Sequence, residues 1–213
     1  MSVFVKDKLL FVHIPKTAGA SIIDAIKTTD DVCQIPNERA TNNNWHSTYF
    51  DCVEHLGNLD HYYKFSIVRN PWNRATSYFF FRKKIIEDGL KKLNIGKKFR
   101  LLIDDHEAIK TEYDIMCDSF DLWLQKYFNK RWHHTWFSLA FNQSHWLRGG
   151  NFDLIMKFEN LDQDIKHLQI DNLPHRHLSE NSSLDWKSLY SDKSKKLIHL
   201  LYEEDIDVFK YTF

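Results

Sequence analysis

Short apolar runs and helically spaced apolar positions alternate along the chain. Residues 9–14 form an apolar run of strand length, and residues 20–27 then place three isoleucines on one face of a helix. The same order recurs at residues 63–68, which a turn and an aromatic helical stretch through Phe81 follow. Continuous apolar runs of this length are typical of parallel strands that are buried on both faces. The pattern therefore predicts two strand-turn-helix units in one parallel sheet.

Further segments complete the predicted architecture. A third strand is expected at residues 152–158, a helical stretch at 160–168 and a closing helix at 192–209. Residues 88–147 are predicted to be mostly helical, because the segment 118–124 carries a helix-start signature followed by helical spacing. Strands that alternate with helices predict an α/β fold with a central parallel sheet flanked by helices. We expect a single domain with a helical insertion at about 88–147.

Composition narrows the class of protein. The 213 residues suffice for one well-buried domain, and 29 Lys+Arg balance 29 Asp+Glu, which excludes a globally basic nucleic-acid binder. The three cysteines, Cys33, Cys52 and Cys117, form no CxxC pair and predict neither a disulfide framework nor a zinc site. No apolar run approaches the roughly 20 residues of a membrane span, and no signal-peptide core is present. We therefore expect a cytoplasmic protein without a membrane span, in which any anion site is local.

A polar segment, His13–Ser21 with the sequence HIPKTAGAS, connects the first predicted strand to the first helix. A strand that ends in a tight turn and opens a helix forms an anion site, because free N–H groups and the positive end of the helix dipole converge there. Gly19 permits close backbone approach, Lys16 supplies a positive charge, and Thr17 supplies a hydroxyl. The segment predicts a phosphate cradle, although an ordinary strand-helix turn with a solvated lysine has the same local pattern.

Two features disfavour a kinase that uses Mg-ATP. The loop GxxxxGK[ST] is absent, since Lys16 precedes the glycine instead of following it. The third predicted strand ends in Met-Lys-Phe-Glu159 and not in a magnesium-binding aspartate. A P-loop-like small-molecule kinase nevertheless remains the alternative enzyme, and a non-catalytic nucleotide-binding relic remains the alternative without activity.

A second polar segment repeats the strand-turn-helix arrangement at residues 65–77, FSIVRNPWNRATS. Arg69 lies at the carboxyl end of the predicted strand, and Ser77 lies about two helical turns into the next element. Taken alone, Arg69 fits a buried structural ion pair equally well. Two anion cradles at the ends of two parallel strands indicate one ligand with two separated anionic groups.

Together the two segments resemble the sulfotransferases, especially the carbohydrate-type group with PKTAGTS-like and VRNPxxRxxS-like signatures. The resemblance extends weakly to residues 143–147, 153–161 and 205–213. It implies a P-loop-kinase-like three-layer fold and transfer of a sulfuryl group from 3′-phosphoadenosine 5′-phosphosulfate to a hydroxyl acceptor. The acceptor that the resemblance favours is a carbohydrate. Ala20 departs from the pattern, because the family often has a threonine there.

The resemblance also implies roles for individual residues. The first motif would hold the 5′-phosphosulfate, and Arg69 and Ser77 would hold the 3′-phosphate. The residues of the first motif that would bind the donor are Lys16, Thr17, Ala18, Gly19, Ala20 and Ser21. Lys16 is also the candidate that neutralises the leaving oxygen. No metal is expected, because this donor has no β,γ-diphosphate for a metal to bridge.

A hydroxyl acceptor benefits from a general base, and histidine suits the physiological pH range. His46 lies between the two cradles, in the region where the carbohydrate-type enzymes place a catalytic histidine, and it is the predicted base. His13, His55 and Glu159 remain open as alternatives. The segment 131–137 is rich in histidine and tryptophan, but adjacent histidines on a helix point apart, which disfavours a metal site there.

Overall fold

The computed structural model describes residues 2–27, 31–35, 46–94, 106–128, 141–170, 173 and 185–213. The chain divides into two compact units. The first comprises Met1–Pro71, Trp136–Leu178 and Tyr202–Thr212, and the second comprises Trp72–Thr135, Ser179–Leu201 and Phe213. The single domain with a helical insertion at about 88–147 stays a prediction. The histidine-rich segment 131–137 lies outside the described residues.

Five strands and nine α-helices are found in the described ranges. The strands are β1 (Val3–Val5), β2 (Leu9–Val12), β3 (Cys33–Gln34), β4 (Tyr63–Val68) and β5 (Leu154–Lys157). The helices are α1 (Gly19–Lys27), α2 (Tyr49–Leu56), α3 (Pro71–Asn94), α4 (His106–Asp118), α5 (Phe120–Trp123), α6 (Gln143–Leu147), α7 (Leu161–Asp164), α8 (Asp192–Leu201) and α9 (Glu203–Phe209). A π-helical turn, Leu124–Phe128, continues α5, and 3₁₀ turns lie at Phe158–Asn160, Ile165–Leu168 and Trp186–Leu189.

The sheet has the strand order β3-β1-β2-β4-β5. Its centre is parallel, with Phe11 of β2 opposite Phe65 of β4, and Phe65 opposite Leu154 of β5. These are the three strands that the apolar runs predict, so the parallel core is confirmed. The sheet also contains two strands that were not predicted, β1 and β3. Strand β1 pairs antiparallel with both β2 and β3. Three and two residues are too few to show a hydrophobic period.

Several predicted boundaries need correction. The first strand ends at Val12 and not at residue 14, because the backbone N–H of His13 donates to the Ser2 hydroxyl instead of to a strand partner. The helix after Pro71 runs on to Asn94, well past Phe81. The stretch 192–209 forms two helices, α8 and α9, and not one. The predicted helix start near residue 118 is confirmed, since Ser119 accepts a hydrogen bond from the backbone N–H of Leu122.

In the first unit, helices cover both faces of the sheet. Side chains alternate along β2, so that Phe11 points to one face and Leu10 and Val12 point to the other. The first face packs against α1 and α7, and its buried core includes Val3, Ile22, Ile23, Ile26, Phe65, Ile67, Met156, Leu161 and Ile165. The second face packs against α2 and α6, and its core includes Ile14, Cys52, Val68, Trp146, Leu147 and Tyr211. The mixed α/β class is confirmed, and the P-loop-kinase-like arrangement stays a prediction.

The second unit is helical in its described part and has an aromatic core. The ring of Phe79 packs edge-on against Phe120 and Trp123, each at 5.1 Å between centroids. A buried ion pair joins Arg82 of α3 to Glu112 of α4 at 2.9 Å, and the indole N–H of Trp123 donates to the same carboxylate. Because the carboxylate has both a charge partner and a second donor, its burial is compensated.

No helix within the described ranges is both long enough and apolar enough to cross a membrane.

Candidate active site

The loop between β2 and α1 has a strained backbone. Lys16 and Ala18 both adopt positive φ angles, 69° and 67°. For residues with a side chain this conformation costs roughly 1–2 kcal/mol each, and such strain is concentrated at ligand-binding sites. The buried hydroxyl of Thr17 donates to the carbonyl of Ile14 at 2.8 Å, which fixes the turn between them. The hydroxyl of Thr17 thus holds the loop together.

The first turn of α1 presents backbone donors at this loop. The N–H groups of Ser21 and Ile22 bond to the carbonyl of Ala18. Across the described part of the chain no acceptor meets the N–H groups of Gly19 and Ala20, which is the ordinary state of a first helical turn. These donors and the positive end of the helix dipole suit an anion, so the structure is consistent with the anion cradle, which stays a prediction.

The ring of His13 leaves no room for a side chain at position 19. A Cβ atom at position 19 would lie 2.0 Å from Cδ2 of His13, far inside van der Waals contact. The imidazole has little room to move, because it stacks on the ring of Phe11 at 5.6 Å and meets the ring of His46 edge-on at 4.5 Å. The glycine therefore lets a histidine lie directly on the start of α1.

We expect Gly19→Ala to destabilise the protein by about 1–3 kcal/mol, because the added methyl group overpacks the contact with His13. In a His13→Ala background the ring is gone, and the same substitution should then cost nothing measurable. Urea unfolding of the four proteins gives both free energies and their coupling. An equal cost in the two backgrounds would show that the clash is not what makes glycine necessary.

Lys16 and Arg69 bring the two motifs together. A guanidinium N–H of Arg69 donates from Nη1 to the backbone carbonyl of Lys16 at 3.3 Å, and the guanidinium carbon lies 3.9 Å from the ring centroid of Phe158. Burial and the positive charge of Arg69 lower the pKa of Lys16 to about 7. An anion bound here would offset both effects, since it would favour the charged amine.

The remaining residues of the two motifs are placed as follows. Ser21 is buried in the first turn of α1, and Ala20 is half-buried beside it. Ser77 is half-buried in the second turn of α3 and belongs to the second unit. The predicted role of Ser77 at a 3′-phosphate therefore stays a prediction.

His46 is held in one tautomer. Its Nδ1 lies 3.1 Å from the backbone carbonyl of His13, and a carbonyl only accepts, so Nδ1 carries the proton. The lone pair of the neutral ring is then on Nε2, as a general base requires. The side chain is only 7% exposed and meets the ring of Trp146 edge-on at 6.1 Å. Backbone and packing together fix the orientation of this histidine.

Ser2 is a positioning residue that sequence reasoning missed. Its fully buried hydroxyl accepts the N–H of His13 at 3.1 Å and donates to the carbonyl of Ser47 at 2.6 Å. It thereby ties the end of β2 to the segment that carries His46. A serine directly after Met1 belongs to no recognisable motif, and the sequence contains no signal for this contact.

The other candidate bases have different surroundings. His55 is exposed in the last turn of α2, where its ring meets the edge of Phe4 at 6.4 Å. Glu159 accepts the backbone N–H of Asn70 at 2.7 Å through Oε1 and the hydroxyl proton of Tyr211 at 3.2 Å through Oε2. The carboxylate of Glu159 therefore orients Asn70, the residue next to Arg69. Because both of its oxygens already accept a hydrogen bond, this arrangement favours His46 over Glu159 as the base.

In the part of the chain that the structure describes, no group of three His, Cys, Asp or Glu side chains has the geometry to hold a metal ion.

The fold and these contacts define an α/β protein in which Arg69 contacts the backbone of Lys16 just beyond the carboxyl ends of two neighbouring parallel strands. A histidine fixed in one tautomer lies in the same unit. A family model described as "Sulfotransferase family" matches residues 1–212. The chain therefore belongs to the sulfotransferase family and is a sulfotransferase enzyme. No curated protein and no solved structure matches it significantly.

Proposed function

We propose that this enzyme transfers a sulfuryl group from 3′-phosphoadenosine 5′-phosphosulfate to a hydroxyl group of a carbohydrate. The observation that carries the proposal is the contact between Arg69 and the carbonyl of Lys16, which joins one cationic residue from each motif. Two neighbouring cations and a helix N-terminus suit a ligand with more than one anionic group. The choice of a carbohydrate rests on the resemblance of the motifs to the carbohydrate-type group, and a cytoplasmic location is likewise a proposal.

The first motif would bind the phosphosulfate end of the donor. The N–H groups of Gly19 and Ala20 and the amine of Lys16 would donate hydrogen bonds to it. During transfer the bond between sulfur and the bridging phosphate oxygen breaks, and negative charge develops on that oxygen. Lys16 would stabilise this charge, and such electrostatic stabilisation accounts for much of the catalysis in related phosphoryl transfers. Arg69 would bind the 3′-phosphate, as the resemblance of the second motif implies.

His46 would act as the general base. As the new bond forms between sulfur and the acceptor oxygen, the hydroxyl proton moves to Nε2 of His46. The hydrogen bond from Nδ1 to the carbonyl of His13 holds the ring in the tautomer that accepts it, and this carbonyl also stabilises the imidazolium that results. The products are a sulfate ester and 3′-phosphoadenosine 5′-phosphate.

A transfer assay tests the reaction directly. The enzyme is incubated in EDTA with donor labelled in its sulfur and with a panel of glycans, lipids and small alcohols. We expect label to appear in a carbohydrate product, and label confined to a lipid or alcohol would refute the proposed acceptor class. Transfer of the γ-phosphate of Mg-ATP to any of these acceptors would instead support the kinase alternative, and donor binding without any product would support the non-catalytic one.

The pH dependence of binding follows from the lowered pKa of Lys16. This pKa is about 7 in the folded protein without ligand, and a bound anion raises it. The affinity for adenosine 3′,5′-bisphosphate should therefore fall by up to about 50-fold between pH 7 and pH 9, and binding at pH 8 should take up close to one proton. Calorimetry in buffers of different ionisation enthalpy measures this uptake.

The stability of the ligand-free protein should change with pH in the opposite direction. The pKa of Lys16 is lower in the folded state than the ordinary value of 10.5, so between about pH 7 and pH 10.5 the unfolded chain binds more protons. The contribution of Lys16 to the free energy of unfolding should therefore increase as the pH rises through this window.

Lys16→Met is the control for the binding experiment, because this substitution should abolish the proton uptake at pH 8. Equal uptake by the variant and the parent would assign the proton to another group.

A further inference from the structure

We propose that Gln143, fastened by Asp205, is a positioning residue that fixes Arg69 for recognition of the 3′-phosphate of the donor. The inference rests on the proposed function, because it takes the phosphate that Arg69 binds from there. Both Gln143 and Asp205 are fully buried in the first unit, and neither belongs to the two motifs that carry the anion cradles.

The side-chain amide of Gln143 satisfies both backbone groups of Arg69. Its Oε1 accepts the N–H of Arg69 at 2.8 Å, and its Nε2 donates to the carbonyl of Arg69 at 2.8 Å. In an antiparallel sheet, a residue of the neighbouring strand forms the same pair of hydrogen bonds with the residue opposite. Since β4 ends at Val68, the amide extends the ladder by one residue and holds Arg69 in line with the strand.

Asp205 in turn fixes Gln143. Its Oδ2 accepts the backbone N–H of Gln143 at 2.7 Å and also lies 3.3 Å from Nε2 of the same residue. Its Oδ1 accepts the backbone N–H of Ser144 at 2.9 Å. Hydrogen bonds to a carboxylate are short and roughly twice as strong as neutral ones. The start of α6 is therefore attached to α9, which contains Asp205, and the amide of Gln143 has one orientation.

These hydrogen bonds restrict the backbone of Arg69, which carries a long side chain. The guanidinium is further restrained by the ring of Phe158 and the carbonyl of Lys16. Bidentate binding of a phosphate depends on the direction of the guanidinium plane, and a prearranged group loses less entropy on binding. If Gln143 were absent, Arg69 would keep its charge but lose its alignment with the strand.

The test compares adenosine 3′,5′-bisphosphate with adenosine 5′-phosphate, which lacks the group that Arg69 would bind. Gln143→Met keeps the volume of the side chain but removes both hydrogen bonds to Arg69. We expect it to weaken the bisphosphate by about 10-fold and the monophosphate by less than about 2-fold. Asn142→Ala is the matched control, since that neighbouring amide bonds to Glu204 and not to Arg69, and both affinities should be unchanged.

A double-mutant cycle separates positioning from general stability. If Gln143 acts through Arg69, the double variant Arg69→Ala/Gln143→Met should discriminate between the ligands as poorly as Arg69→Ala does, with no added loss. Equal weakening of both ligands by Gln143→Met, or additive losses in the cycle, would overturn the inference. Should Gln143→Met not fold, Asp205→Asn replaces it in the cycle, with a smaller but equally selective loss expected for the bisphosphate.

The same data distinguish failure of this inference from failure of the proposed function. If Arg69→Ala lowers the preference for the bisphosphate and Gln143→Met does not, only the role of Gln143 is wrong. If Arg69→Ala leaves the preference unchanged, or if the parent protein shows no preference, the 3′-phosphate role of Arg69 in the proposed function is wrong.

Discussion

Lys16→Met should lower the turnover of sulfuryl transfer by about 10²–10³-fold, the usual loss when one preorganised donor to a developing charge is removed. Lys16 is one of the two residues with a positive φ angle in the loop before α1, and its amine is the group that we propose to stabilise the leaving oxygen. Methionine retains an unbranched apolar chain, so the substitution removes the charge and little else. Initial rates at saturating acceptor and donor measure the effect.

Lys27→Met is the matched control for this experiment. Lys27 ends the same helix, is exposed and lies in the last turn, far along α1 from the cradle. Its removal changes the net charge by the same amount and should leave turnover within about 2-fold, because exposed single charges interact weakly in water. If Lys16→Met retained more than about a tenth of the turnover, another group would have to stabilise the leaving oxygen.

His46→Ala should lower turnover by about 10²–10⁴-fold and leave the affinity for adenosine 3′,5′-bisphosphate within about 2-fold. The contacts that the structure gives for this histidine in the described residues, with the carbonyl and the ring of His13 and with the ring of Trp146, orient a base, and neither His13 nor Trp146 is a residue that we propose to hold the donor. The acidic limb of the pH profile of kcat/KM, which reports protonation of the base, should disappear in the variant.

Two further variants separate a role of His46 as the base from an effect on packing. His46→Gln fills more of the buried space, and a loss of turnover equal to that of His46→Ala would exclude a packing effect as the cause. His55→Gln should change nothing, because His55 is exposed on the outer part of α2. Unchanged turnover in His46→Ala would assign the base to another residue, and a parallel loss of bisphosphate affinity would make the role of His46 structural.

The parallel core could be predicted because its strands are buried on both faces. Residues 9–14 are apolar except for His13, and residues 63–68 are apolar except for Lys64 and Ser66. Each run is followed by polar residues that open a helix. The same pattern placed Lys16 and Arg69 at one edge of the sheet. Their direct contact, through the carbonyl of Lys16, was beyond sequence reasoning, because it depends on a backbone carbonyl that every residue possesses.

The supporting contacts of the site could not be predicted, because they join positions far apart in the chain. Gln143 meets Arg69 across 74 positions, and it meets Asp205 across 62. Ser2 reaches Ser47 across 45 positions. Local periodicity contains no information about such pairs, and one sequence shows neither which polar residues are buried nor which of them meet.

The proposed donor class is tested by calorimetric titration with adenosine 3′,5′-bisphosphate, adenosine 5′-phosphate and ATP, each with and without magnesium. We expect the bisphosphate to bind without magnesium at least about 10-fold more tightly than the monophosphate, since a charged hydrogen-bonded pair contributes that much. Magnesium should not improve its binding. Tighter binding of Mg-ATP than of the bisphosphate would show that the proposed donor is wrong.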